Sequence, residues 1–144
     1  GGRDGAGQLD RLRGFRRRLE DAGIQMSVFI LADEAQVRAA VKLGVDTIEL
    51  HTGAYCDAED DEAVERELER LAAAGKLALA LAPDVTLAAG HGLTARNVGE
   101  LVTAVPEIDE LNIGHGLICD AIFSGLDQAV ENYRDAIELG EAER

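Results

Sequence analysis

Short apolar runs alternate with longer amphipathic stretches along this chain, and that alternation restricts the fold more than any other feature. The runs fall at 25–30, 46–50, 84–89 and 110–113, each bounded by turn-forming residues. Between them the apolar residues recur at helical spacing. Leu12, Phe15 and Leu19 mark a helix over 9–22 that Gly23 stops. Asp33 is placed to cap a helix with Val37, Ala40 and Val41 on one face, ended by Gly44. Val64, Leu68 and Leu71 mark a helix over 62–74, and the Ala/Leu content of 76–82 favours a further helical turn or two over a strand. Thr94 is read as the cap of a helix carrying Val98, Leu101 and Val102, which Pro106 prevents from continuing. A short helix over 117–123 and a final one over 126–139 are separated by Gly125.

Strands joined by helical crossovers run parallel, because a hairpin cannot contain a helix. Two parallel architectures compete. A doubly wound sheet carries its Gly-rich phosphate loop after the first strand, whereas the first strand here ends in Leu31-Ala32-Asp33. The Gly-rich turns follow the last two strands instead, where a TIM barrel builds its phosphate site. The expected fold is therefore α/β of the TIM (β/α)8-barrel type, present as a C-terminal half-barrel of about four βα units. Residues 1–144 then form a single partial domain, with roughly another hundred residues expected on the N-terminal side. The lack of an initiator Met points the same way.

Composition narrows the partners. With 47% hydrophobic residues the chain is expected to pack a core. A net charge of −14 argues against nucleic acid or an anionic membrane as partner, and no apolar run is long enough to span a bilayer. The basic cluster Arg11, Arg13, Arg16, Arg17 and Arg18 reads as a solvated helix face. The polar start, 1–7, does not read as a signal peptide. Cys56 and Cys119 lack metal-ligand spacing, which fits a reducing cytoplasm better than a disulfide framework. The acids between Asp57 and Glu62 lack the spacing of a calcium loop and suit the approach to a helix N-terminus.

The chemistry gathers where strands end. All three histidines sit there: His51 closes the second run, His91 stands in Gly90-His91-Gly92-Leu93 after the third, and His115 in Gly114-His115-Gly116-Leu117 after the fourth. Glycines let a ligand approach the backbone, and a helix starting at Leu117 offers free N–H groups to a phosphate, with His115 able to add a hydrogen bond. His91 is placed to exchange a proton near neutral pH, or simply to be hydrogen-bonded within a turn. Glu49 alternates with Ile48 and Leu50 and faces either the helices or the barrel interior; burying a carboxylate against helices is costly, so the interior near the mouth is the expected side. There it can stabilise a developing cation or pair with an interior Arg or Lys.

Taken together, residues 24–30, Ile48-Glu49-Leu50-His51-Thr52-Gly53-Ala54-Tyr55, Ala89-Gly90-His91-Gly92-Leu93-Thr94 and Glu110-Leu111-Asn112-Ile113-Gly114-His115 resemble the pyridoxine 5'-phosphate synthase family. The stretches 19–23 and 106–110 resemble it too, so the likeness covers nearly the whole chain in order. The resemblance implies a TIM-barrel enzyme of vitamin B6 biosynthesis that joins 3-amino-2-oxopropyl phosphate to 1-deoxy-D-xylulose 5-phosphate. The pyridine ring closes, and water and inorganic phosphate leave. It implies His91 as proton donor and Glu49 as transition-state stabiliser. It implies Gly92 at the aminoketone phosphate, and Gly114 with His115 at a substrate phosphate. It implies small phosphorylated partners, no redox or organic cofactor, and a homo-oligomer when full length. Ala88 stands where the family commonly has Asn, and Leu31 where it often has an acid. The family's first-half residues, including phosphate-gripping arginines and further bases, are absent from this chain, so it is expected to be inactive alone.

Two other readings are open to the same residues. One is a non-catalytic phosphate-binding or scaffold half-barrel, since open sheet edges favour association. The other is a sugar-phosphate isomerase or aldolase. Many aldolases use a Schiff-base lysine, and the only lysines, Lys42 and Lys76, fall in or beside helices.

Overall fold

The structure, a computed structural model, describes residues 4–144, with side chains from residue 11 onward. The start of the polar segment 1–7 lies outside the described residues. In chain order the elements are α1 (Asp4–Asp21), β1 (Ser27–Ile30), α2 (Glu34–Leu43), β2 (Thr47–His51), α3 (Gly53–Cys56) and α4 (Asp61–Leu81). They continue with β3 (Thr86–Gly90), α5 (Val98–Ala104), β4 (Glu110–Asn112), α6 (His115–Ser124) and α7 (Leu126–Ala142).

The strands form one parallel sheet in the order β1-β2-β3-β4. Sequential order without a reversal is the arrangement of a barrel segment, since a doubly wound sheet reverses direction at its switch point. The chain thus has a partial TIM-barrel type fold, as the alternation predicts.

Local sequence accounts for most boundaries. The Asp33 side chain accepts from the Gln36 N–H at 3.1 Å and so caps α2, and Gly44 ends that helix at a φ of 73°. Asp60 caps α4 in the same way, accepting from the Ala63 N–H at 2.8 Å. The acidic stretch before α4 is therefore the approach to a helix start. Helix α4 runs through 76–81 without a break, as its Ala and Leu content favours. Helix α5 differs from expectation. It begins at Val98, with no side-chain cap. Thr94 instead opens a turn, its hydroxyl accepting from the Arg96 N–H at 3.3 Å while Asn97 Oδ1 accepts from the Thr94 N–H at 2.8 Å. This local side-chain bonding competes with helix and delays its start. The one-turn helix α3 is also new, set in what reads as a loop.

The core lies between one face of the sheet and the helices. Ile48, Leu50, Leu87 and Ala89 are fully buried against Val37 and Ala40 of α2, Leu71 and Ala78 of α4, and Leu101 of α5. Two carboxylates join the strand starts: Asp46 Oδ2 accepts from the Met26 N–H at 2.7 Å, and Asp109 Oδ2 from the Leu87 N–H at 3.1 Å. Each ties one strand to its neighbour and helps fix the register. In the basic cluster Arg16 is anchored, donating from Nε to the Gly44 carbonyl at 2.6 Å, while Arg11, Arg17 and Arg18 are exposed.

Candidate active site

The carboxyl ends of the strands converge on a cavity of about 450 Å³. Glu49, His91, Gly92, Gly114 and His115 all line it, together with Phe29, Leu93, Asn112, Ile113 and Gly116. All five residues singled out in the sequence therefore meet at one place. Phe29 and Asn112 are additions. Both follow from register, because Phe29 pairs with Glu49 across β1 and β2, and Asn112 with Gly90 across β3 and β4.

Glu49 sits in the middle of β2, between the buried Ile48 and Leu50, so alternation turns it to the opposite face. Among the described residues no cation pairs with it. The interior salt bridge weighed from sequence is not made within these residues. Gly90 is shaped by this carboxylate: a Cβ there would stand 2.5 Å from Glu49 Oε1 and 2.9 Å from the Asn112 carbonyl oxygen.

His91 directly follows β3 and has a φ of 88°, the one positive value among described non-glycine residues. A side chain in that region costs about 1–3 kcal/mol and persists only where neighbours enforce it. The enforcement is visible. The His91 ring stacks on His51 with centroids 4.4 Å apart, and His51 in turn lies 4.9 Å from the Phe29 ring. His51 Nδ1 accepts from the Gly53 N–H at 3.0 Å, which places the proton of the neutral ring on Nε2. Gly53 has no room for a side chain, because a Cβ would contact His51 Cε1 and come within 3.0 Å of His91 Cδ2. Gly92 follows with a φ of 77°, and a Cβ there would meet the Cys56 Cβ at 2.8 Å. Burial pushes the Cys56 thiol above its ordinary value, so it stands protonated at neutral pH and is a poor nucleophile.

Gly114 precedes α6, and His115 is its first residue. The helical ladder begins with the Ile118 N–H donating to the Gly114 carbonyl at 3.0 Å. The N–H groups of His115, Gly116 and Leu117 thus have no intrahelical acceptor, and they carry the positive end of the α6 dipole. Beneath this turn a Cβ on Gly116 would fall 2.7 Å from both the Leu93 carbonyl oxygen and the Tyr133 hydroxyl, so the residue must be small. Of the cavity's lining residues only His91 and His115 can carry positive charge. No group of three or more His, Cys, Asp or Glu among the described residues, in the cavity or outside it, is arranged to hold a metal ion. No helix among them is long and apolar enough to cross a membrane.

A sheet of sequential parallel βα units with acid–base side chains and a helix N-terminus at its carboxyl end defines a barrel-type α/β protein. Comparison with known proteins gives the family. The family model described as "Pyridoxal phosphate biosynthesis protein PdxJ" matches residues 1–139, and the chain belongs to that family. Curated proteins named pyridoxine 5'-phosphate synthase are similar to it. That of Photobacterium profundum is 46% identical over 144 residues, covering 100% of this chain and 57% of the relative. That of Xanthobacter autotrophicus is 50% identical, over 99% of this chain and 55% of the relative. That of Aliivibrio fischeri is 48% identical, over 90% and 52%. The chain spans about half the length of the curated relatives it matches.

Proposed function

We propose that the complete protein carrying this chain is a pyridoxine 5'-phosphate synthase, and that residues 1–144 are one partial domain, the C-terminal half of its barrel. The observation that carries this is the meeting of Glu49, His91, Gly92, Gly114 and His115 around one cavity. The substrates are 3-amino-2-oxopropyl phosphate and 1-deoxy-D-xylulose 5-phosphate. Their amine and carbonyl groups condense, water and phosphate leave, and the ring closes. Each loss of water needs a proton delivered to the departing hydroxyl, whereas phosphate can leave as its own stable anion. His91, held rigidly at the end of β3, delivers that proton. The iminium character that develops on condensation is cationic, and the unpaired Glu49 carboxylate across the cavity stabilises it. The Gly92 backbone holds the aminoketone phosphate. Gly114 and His115 hold a substrate phosphate at the α6 N-terminus.

With two histidines as its only cationic groups, this half of the mouth is under-equipped for two phosphorylated substrates. The remaining cations come from the other half of the barrel, and the working protein is a cytoplasmic homo-oligomer. The test is an assay of product formation with both substrates. The complete enzyme turns over, residues 1–144 alone do not, and His91→Ala in the complete enzyme lowers turnover roughly 10²–10⁴-fold. Product from residues 1–144 at the rate of the complete enzyme refutes the half-barrel reading, and unchanged turnover in His91→Ala removes its role.

A further inference from the structure

Thr52 has no part in the chemistry above, yet among the described residues it is the one buried side chain that is neither apolar nor aromatic. It stands one residue beyond β2. Its N–H donates to the Gly90 carbonyl at 2.9 Å, and its hydroxyl donates to the same oxygen at 2.8 Å. The hydroxyl also reaches the carbonyl of His91 itself. The Cys56 thiol donates to that His91 carbonyl as well, at 3.4 Å. The peptide groups on both sides of His91 are therefore tied to the end of the neighbouring strand.

The tie matters because of the conformation it holds. A residue with a Cβ relaxes to negative φ when free, and glycine would relieve the strain here but would carry no ring. At its φ of 88°, His91 stacks on His51 and lines the cavity with Glu49. We propose that Thr52 is the positioning residue for His91: its single hydroxyl proton is shared between the Gly90 and His91 carbonyls and holds them so that the imidazole stays on the His51 ring and faces the substrates. This rests on the reading of His91 as proton donor. It adds a residue that touches no substrate and acts by holding the ring in place.

The test uses the complete enzyme and two readouts. Thr52→Val keeps the shape and removes the hydroxyl. It lowers kcat roughly tenfold to a hundredfold, the scale on which a misplaced catalytic group acts. KM changes less than kcat, and any rise falls on the aminoketone phosphate, because the Gly92 N–H shares a peptide group with the His91 carbonyl while the Gly114-His115 turn is untouched. In spectra of ¹³C-labelled histidine, with the signal assigned through His91→Gln, the His91 ring resonances of Thr52→Val move as the ring leaves its stack on His51. Thr52→Ser restores the hydroxyl, and with it both kcat and the resonances. If Thr52→Val does not fold, Thr52→Ala takes its place with the same readouts. Parent kcat and unmoved resonances in the hydroxyl-free variant overturn the proposal. So does a Thr52→Ser variant as impaired as Thr52→Val, because the hydroxyl is then not the agent. A parent enzyme that makes no product refutes the proposed function, while the resonances still decide whether Thr52 holds the ring.

Discussion

The two faces of the sheet are made from alternate residues of the same strands, and they differ in nearly every physical respect. Ile48, Leu50, Leu87 and Ala89 are fully buried under the helices, whereas Phe29 on the other face is 51% exposed and Glu49 is half-buried and unpaired among the described residues. The covered face is apolar throughout and has found its partners within the chain. The open face carries a carboxylate, an imidazole, an amide and a glycine cut to fit them, and its cations are few. The covered face therefore holds the fold, while the open face keeps polar groups unsatisfied for a ligand to meet.

That division gives a set of substitutions, ordered by expected effect, that either sharpen it or break it. Leu50→Ala on the covered face costs about 2–5 kcal/mol through lost burial and the cavity left behind. Chemical denaturation of the complete enzyme measures it, and any protein that still folds keeps its KM. Glu49→Gln, one residue away on the open face, lowers kcat roughly 10²–10³-fold, as loss of one pre-aligned charge does elsewhere. Its denaturation midpoint falls by far less than that of Leu50→Ala, because no described residue pairs with the carboxylate. The comparison fails if Glu49→Gln unfolds the protein or Leu50→Ala acts on kcat alone.

Smaller effects lie outside the sheet. Asp60→Ala removes the cap of α4 and costs about 1 kcal/mol, again read by denaturation, with kinetics unchanged. Tyr55 gives a test in alkali. Burial, and then the negative Glu100 beside it, push its phenol well above the ordinary value near 10, and its hydroxyl donates to the Asn97 carbonyl at 2.8 Å. A group whose folded value is raised stabilises fully below its unfolded value, and that contribution is lost as pH rises beyond it. Stability thus begins to fall above a pH of about 10, and Tyr55→Phe flattens that part of the profile. An identical alkaline profile in Tyr55→Phe assigns the fall to other groups.

Much of this was legible in the sequence. The alternation of apolar runs and helical stretches gives the parallel order, and Asp33 with Gly44 marks both ends of α2 because capping is a local matter. Thr94 shows the limit of such reasoning. A Thr ahead of an apolar helix looks like a cap, but the Asn97 amide bonds back to it and moves the helix start to Val98. His51 and Thr52 show a second limit. In the sequence they follow a strand and carry no pairing signal. Their partners, His91 and Gly90, lie some forty residues away in β3 and beyond.

By itself the sequence determined the four strands and the longer helices, their parallel order, the face on which Glu49 lies, and the candidacy of His91 and the Gly114-His115 turn. These follow from side-chain period and local turn chemistry, which act within a few residues. Only the tertiary structure decided that Phe29 and Asn112 share the cavity, that His91 is stacked and held at positive φ, and that Gly90 must yield to Glu49. Those are contacts between strands, fixed by register and close packing, and no stretch of chain encodes them alone.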